Sequence, residues 1–475
     1  VRPPAGRSAP SADPAAARQR LAHHAWAAPL REALARLRAD GHQAWLVGGT
    51  VRDALLGREP REAVADVATD RRPEAVCALF ERVEPIGIAH GTVLVLLGGA
   101  RIECTTMRRE GDYPDARHPE RVEFTGDLRA DLSRRDLTVN AMAFDPWSGV
   151  FVDPHDGLRD LARGVLRAVG DPVARFREDG LRPLRVARLA AVLGFEPEPA
   201  TRAALGRARD RAAQVAMERV RDELERLMAA ERPSEGFELL REAGLLGLWL
   251  PELEACVAVP QNRWHAWDVY RHSLYTCDAA PASKPRVRWA ALLHDIGKPA
   301  TRVERHGEGT FYHHPQVGAD LADALLARLR FPAAERRAIV HLVREHMFDY
   351  RPQWTDAALR RWLRRVGSDA VADLFDLRIA DTLGNGRRAG FPASIEVMRS
   401  RIERLMEADH ALHVADLAVD GRDVMRVLGI APGRAVGEAL ATLLEEVLER
   451  PERNRRDLLL ERLRTLHAAP PASES

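Results

Sequence analysis

Lysine is nearly missing: Lys284 and Lys298 are the only two among 71 basic residues, so arginine carries the positive charge. Guanidinium groups pair bidentately with phosphate and stack on bases, which suits a nucleic-acid ligand. The base composition of a genome gives the same bias, and the net charge of +1 decides nothing. Cysteine is scarce too. Cys77, Cys104, Cys256 and Cys277 form no CxxC pair, which argues against a zinc ribbon or a disulfide framework and predicts reduced core thiols. No apolar run is long enough to span a bilayer. The opening "VRPPAGRSAPSADPAAARQR" lacks the apolar core of a secretory signal, so the expected location is cytoplasmic. What is present, 46% apolar and 30% charged residues, is the balance of a globular protein. A chain of 475 residues implies about three domains.

The hydropathy pattern predicts an α+β protein. From Ala44 to Asp145 short β-like runs ("AWLVGG", "TVLVLL", "RIECTT") alternate with one clear helix after Gly49, giving an α/β head. From about Gly164 onward the β-like runs disappear and apolar and arginine periodicities predict only helices. The expected organisation is a disordered arm over 1–27, a head over 28–163, a helical neck over 164–255, a histidine-rich helical domain over 256–386 and a helical tail over 387–475. The closing "AAPPASES" is expected to be disordered.

In "LVGGTVRDALLG" the pair Gly48 and Gly49 lets the backbone approach a triphosphate at a helix N-terminus, with Arg52 and Asp53 in the first turn. Nucleotidyl transfer needs metal ions held by carboxylates, and acids at i and i+2 of a strand face one side about 6 to 7 Å apart. The strand "EAVADVATD" offers Asp66, but the position two residues earlier is Val64. Glu62 shares that face roughly 13 Å away along an extended strand, and needs a bulge or loop to fold it back.

Taken in order, the motifs "LVGGTVRDALLG", "HGTVLVLLGGARIECTTMRREGDYPDARHP", "DLSRRDLTVNAMAFDP", "REDGLRPLRVARLAAVLGF" and "MERVRDEL" resemble the class II tRNA nucleotidyltransferase family, the CCA-adding enzymes and their poly(A) polymerase relatives. The match runs over roughly residues 40–235. The resemblance implies that Asp66 is a catalytic metal carboxylate served by Mg2+, that Glu103 is a supporting acid, and that Gly48, Gly49 and Arg52 contact the triphosphate. It further implies that Arg134, Arg135, Asp136 and Asn140 select the sugar. Glu178, Asp179 and Arg182 lie in the family's base-reading element, where the Asp and Arg read the edge of CTP or ATP. Asp179 and Arg182 are expected on one helical face at i and i+3, and Arg219 and Glu223 as a neck-stabilising i,i+4 ion pair.

Residues 265–381 contain "HAWDVYRHSLYTCD", "ALLHDIGKPA", "FYHHPQVGA", "LVREHM" and "LRIADTLG". His272, the adjacent His294 and Asp295, and Asp381 supply imidazole and carboxylate donors suited to divalent Mn, Ni, Fe or Mg. This order resembles the HD phosphohydrolase superfamily, with Lys298 part of the match and His314 and His346 as ligands for a second ion. His265, His313 and His341 are read as ordinary surface or core residues. The first functional reading is a tRNA nucleotidyltransferase that adds or repairs the 3'-terminal CCA from CTP and ATP, fused to a phosphatase or 2',3'-cyclic phosphodiesterase of HD type. A second reading keeps only the HD chemistry and makes the head, with Val64 in place of a metal carboxylate, a tRNA-binding module. A third is a silent RNA-binding scaffold.

Overall fold

The computed structural model describes residues 13–58, 64–88, 91–110, 122–263, 265–305, 308–387, 393–408 and 412–468. Glu62 lies outside the described residues, as do positions 1–12 of the expected arm and 469–475 of the tail. The chain divides into two compact units, Val1–Val257 with Ala324–Phe331 and Ala258–Asp323 with Pro332–Ser475.

The first unit is built on a seven-stranded sheet of β1 (Ala44–Val47), β2 (Val64–Thr69), β3 (Val83–Gly87), β4 (Thr92–Leu97), β5 (Ala100–Thr106), β6 (Ala143–Phe144) and β7 (Phe151–Val152). Their order is β3-β4-β5-β2-β1-β6-β7. Among these strands β2 and β5 pair in parallel, with Asp66 opposite Glu103. β1 runs antiparallel to β2 at the middle of the sheet, and three of its four residues, Ala44, Leu46 and Val47, are buried, as a strand covered on both faces requires.

Part of the expected arm is ordered. Helix α1 (Pro14–His23) starts under an Asp13 cap and buries Ala17 and Leu21. Arg20 donates from Nε and Nη2 to the Leu55 carbonyl at 3.1 and 3.0 Å. That bond satisfies an orphan carbonyl at the end of helix α3 (Gly48–Leu55), which composition alone does not reveal. Helix α2 (Ala28–Arg38) turns Leu30, Ala33, Leu34 and Leu37 inward.

Beyond the head the described residues are helical apart from two short strand pairs and the connecting loops, which corrects the expectation of helices alone. Val165–Leu166 pairs in parallel with Glu196–Pro197, and Val303–Arg305 pairs with Glu308–Thr310. The neck holds α4 (Pro172–Glu178), α5 (Arg182–Leu193), α6 (Met217–Met228) and α7 (Pro233–Glu242). In the second unit α8 (Val269–Ala279), α9 (Pro285–Leu293), α10 (His314–Arg328), α11 (Ala333–Glu345) and α12 (Ser368–Gly384) carry the histidine block. Helices Gly421–Leu428, Arg434–Glu449 and Arg456–Ala468 close on their own apolar core around Val424, Leu443, Leu444 and Leu459. No described helix is long and apolar enough to cross a membrane. All four cysteines are free, and burial pushes the Cys104 thiol up to about 12.

Candidate functional site

Two sites take shape, one in each unit. In the first, α3 leaves β1 directly, and Gly48 makes the turn at φ +63°, a conformation open chiefly to glycine. A Cβ there would stand 2.8 Å from Asp66 Oδ2 and 3.0 Å from Arg135 Nη1. The close approach lets the Gly49 N–H donate to Asp66 Oδ2 at 3.0 Å, while the Asp66 N–H donates to Thr50 Oγ1 at 2.7 Å. The carboxylate is thus fixed by the first turn of the helix.

Asp66 borders a cleft of about 990 Å³ together with Val64, Glu103, Arg135, Asp136 and Asn140. Val64 supplies the cleft with no donor atom. The neighbouring strand does, because the β2–β5 register sets Glu103 beside Asp66. Burial raises the pKa of Asp66 against the opposing pull of Arg135 and the Gly49 N–H. Burial and then the charge of Asp66 raise that of Glu103. Two adjacent carboxylates that resist ionising together are a natural seat for a divalent cation, so the residues present fit an ion even without an acid at position 64.

The residues expected to select the sugar form a chain. Arg52 donates from Nη1 to Asn140 Oδ1 at 2.7 Å and pairs with Asp53 at 2.9 Å. Asn140 Nδ2 donates to Asp136 Oδ1 at 3.1 Å, and Arg185 pairs with Asp136 Oδ2 at 3.0 Å. Burial alone would raise the Asp136 pKa; the charges of Arg185 and Arg182, with bonds from Asn140 and Leu137, reverse this and hold it at about 2. Arg134 and Arg135 both reach the buried carboxylate of Asp131, at 2.8 and 3.3 Å.

The segment expected to read the base differs in geometry from expectation. Asp179 and Arg182 do not share a helix: Asp179 is extended (φ −136°, ψ 112°) after α4, and Arg182 opens α5. Pro183 in the first turn of α5 and Gly180 explain the break, because a Cβ at Gly180 would meet the Arg211 carbonyl at 2.3 Å. The anticipated Arg219–Glu223 pair is also replaced. Arg219 holds Asp179 at 3.2 and 2.8 Å, whereas Glu223 accepts from Arg188 at 2.6 Å. Arg182 pairs with Glu178 at 2.5 Å and donates to the Arg134 carbonyl at 3.1 Å, tying neck to head.

Sequence reasoning missed Arg58, Arg108, Arg185, Arg188 and Arg226 as cleft residues. The signal for two of them was present, since Arg182, Arg185 and Arg188 recur every third residue and so share a face of α5. In all, nine arginines and six carboxylates line the cleft among the described residues.

The second site lies among α8, α9, α10, α11 and α12. His272 and His294 face each other with Nε2 atoms 3.2 Å apart, and Asp381 Oδ1 stands 3.1 Å from His272 Nε2. His314 and His346 repeat the arrangement at 3.3 Å. Asp295 joins the two groups, with Oδ2 3.2 Å from His294 and Oδ1 3.3 Å from His314. All six residues named from the sequence therefore come together, as two adjoining groups of three. Lys298 Nζ sits 2.6 Å from Asp295 Oδ2. The three other histidines lie outside those groups: His265 has its ring 5.1 Å from that of His272, His313 is exposed at φ +64°, and His341 bonds the Val366 carbonyl at 2.7 Å.

The tautomers show what these groups suit. Nδ1 of His294, His314 and His346 lies 2.7 to 2.8 Å from the carbonyls of Ala291, Phe311 and Val343. A carbonyl only accepts, so each Nδ1 carries a proton, and in the neutral imidazole each Nε2 is left with its lone pair turned inward. Burial and the charge of His294 push His346 down to about 3, leaving a neutral ligand at ordinary pH. Facing lone pairs beside two carboxylates fit divalent cations.

Three family models match: the poly A polymerase head domain over residues 44–167, the probable RNA and SrmB-binding site of polymerase A over 194–257, and the HD domain over 264–386. Nucleotidyltransferase and HD domains generally use divalent metals. The CCA-adding enzyme of Limosilactobacillus fermentum is 32% identical over 89% of this chain and 92% of its own. That of Geobacillus stearothermophilus is 31% identical over 92% of this chain and 98% of its own. The crystal structure of a Bacillus stearothermophilus CCA-adding enzyme in complex with CTP superposes with a TM-score of 0.68 at 27% identity, covering 93% of this chain and all of that one. With its head, RNA-binding and HD segments in the same order, the chain belongs to the CCA-adding enzyme family of tRNA nucleotidyltransferases.

Proposed function

We propose that the protein adds or repairs the 3'-terminal CCA of tRNA from CTP and ATP, and that Asp66 and Glu103 are the carboxylates of its transferase site. The observation that carries the reading is the parallel β2–β5 register, which sets Glu103 beside Asp66 on the cleft wall. In the reaction the tRNA 3'-oxygen bonds to the α-phosphorus of the nucleotide and the bond to the pyrophosphate leaving group breaks. Gly48 and Gly49 let the triphosphate approach the start of α3, where backbone N–H groups point outward. Arg134 and Arg135 offer charge to the phosphates while Asp136 and Asn140 meet the ribose hydroxyls. Asp179 and Arg182, steadied by Arg219 and Glu178, take the base edge. Mg2+, when bound, would offset charge that develops on the transferring phosphate.

The cluster of His272, His294, Asp295, His314, His346 and Asp381 is a phosphohydrolase site of phosphatase or cyclic phosphodiesterase type for Mn2+, Ni2+, Fe2+ or Mg2+. The tRNA substrate makes the cytoplasm the working compartment. Glu103→Gln tests the carrying observation through radiolabelled CMP incorporation into tRNA lacking CCA. A fall of about a hundredfold or more is expected from loss of a charge-stabilising group; undiminished incorporation would remove Glu103 from the site.

A further inference from the structure

The six ligand residues of the histidine cluster are not equally covered. Side-chain exposure is 1% for His272, 2% for His294 and Asp295, 8% for His314 and 3% for His346, but 18% for Asp381. The cluster therefore opens to solvent at Asp381. One carboxylate oxygen of that residue, Oδ1, faces His272. The other, Oδ2, accepts from Arg378 Nη1 at 2.8 Å, and the Arg378 side chain is itself 22% exposed. Arg378 sits one helical turn before Asp381 on α12 and lies over the Phe348 ring, 6.0 Å from its centroid, which restricts its movement. A guanidinium carries five N–H donors in a rigid fork, so one bond to Asp381 leaves donors for an anion at the same opening. Lys298, the other cation of the cluster, is 8% exposed and bonded to Asp295 and Gln261, hence turned to the interior.

We propose that Arg378 is the phosphate-binding residue of the second site: it holds the metal-facing Asp381 through Oδ2 and receives a phosphate-ester anion with its remaining N–H groups. The assignment rests on reading the cluster as a phosphohydrolase site. The Asp381 carboxylate alone would repel such a substrate at the opening, and Arg378 offsets that charge where the ligands meet solvent.

The test uses the full chain in an Asp66→Asn, Glu103→Gln background, which removes both of the head's proposed metal carboxylates. Mn2+ affinity is measured by electron paramagnetic resonance, and orthophosphate contact with bound Mn2+ by paramagnetic broadening of its phosphorus resonance. Arg378→Gln is expected to weaken orthophosphate binding by tenfold or more while Mn2+ affinity stays within about threefold, and Arg378→Lys to recover part of the loss. Equal orthophosphate binding in both proteins would overturn the role of Arg378 alone. Joint loss of Mn2+ and phosphate in Arg378→Gln would reduce it to a support for Asp381 and would also overturn the proposal. Background protein that binds Mn2+ but neither contacts orthophosphate nor hydrolyses any phosphate ester would overturn the phosphohydrolase reading itself.

Discussion

In the first unit, nine arginines and six carboxylates among the described residues line a cleft of about 990 Å³; in the second unit, four imidazoles and two carboxylates close on one another at 3 to 4 Å. The first wall suits a large polyanion, with guanidinium forks spread along a path and most of them tied to acids that fix their direction. The second suits small cations, with donors pinned by backbone carbonyls so that lone pairs converge. Both use aspartate, in opposite company. Asp66 has Glu103 at its side and its pKa is raised mainly by burial, whereas at Asp295 the neighbouring charges of His294 and Lys298 outweigh burial and hold it well below the usual carboxylate range. A carboxylate thus needs its neighbours to define its chemistry.

The sharpest way to separate the sites is to remove one aspartate from each. Asp66→Asn is expected to lower CMP and AMP incorporation by about a thousandfold or more, since transition-state charge loses its compensation, while phosphate-ester hydrolysis stays within twofold. Asp295→Asn should do the reverse, with about a hundredfold or greater loss of hydrolysis, because one residue serves both groups of ligands. If either variant lowered both activities equally, the comparison would fail.

A smaller effect tests the buried chain behind the cleft. Asp136 has its pKa lowered from 3.8 to about 2, so its contribution is complete above pH 3.8 and lost as pH falls through 2. One unit corresponds to about 1.4 kcal/mol, which makes the contribution on the order of 2 kcal/mol. Denaturant unfolding between pH 5 and 2 should show that loss in the parent and not in Asp136→Asn. The smallest expected change is in Arg219→Ala. Freed from Arg219, Asp179 should raise KM for CTP and ATP by about tenfold, roughly 1.4 kcal/mol, with little change in kcat; an unchanged KM would show that Asp179 needs no such support.

Much of both sites was legible in the sequence because their donors sit in short runs whose spacing carries the chemistry. Glycine before a helix placed Gly48 and Gly49, and His-Asp adjacency placed His294 and Asp295. Pairings across elements were not legible. Arg219 lies 40 residues from Asp179, and Arg188 lies 35 from Glu223, so no local pattern distinguishes these partners from the i,i+4 pair that the sequence suggests. The break at Gly180–Leu181 was readable from Pro183, which favours the first turn of a helix, but the periodic arginines concealed it. The α1 helix was hidden by the alanine- and proline-rich composition it shares with disordered segments.

The most direct test of the account follows labelled CMP and AMP incorporation into tRNA lacking its terminal CCA, by the natural protein and by Val64→Asp. The account predicts ordered addition of two C residues and one A by the natural protein, with Asp66 and Glu103 sufficient for transfer. Incorporation by Val64→Asp alone would contradict it and leave the head a binding module for the HD site.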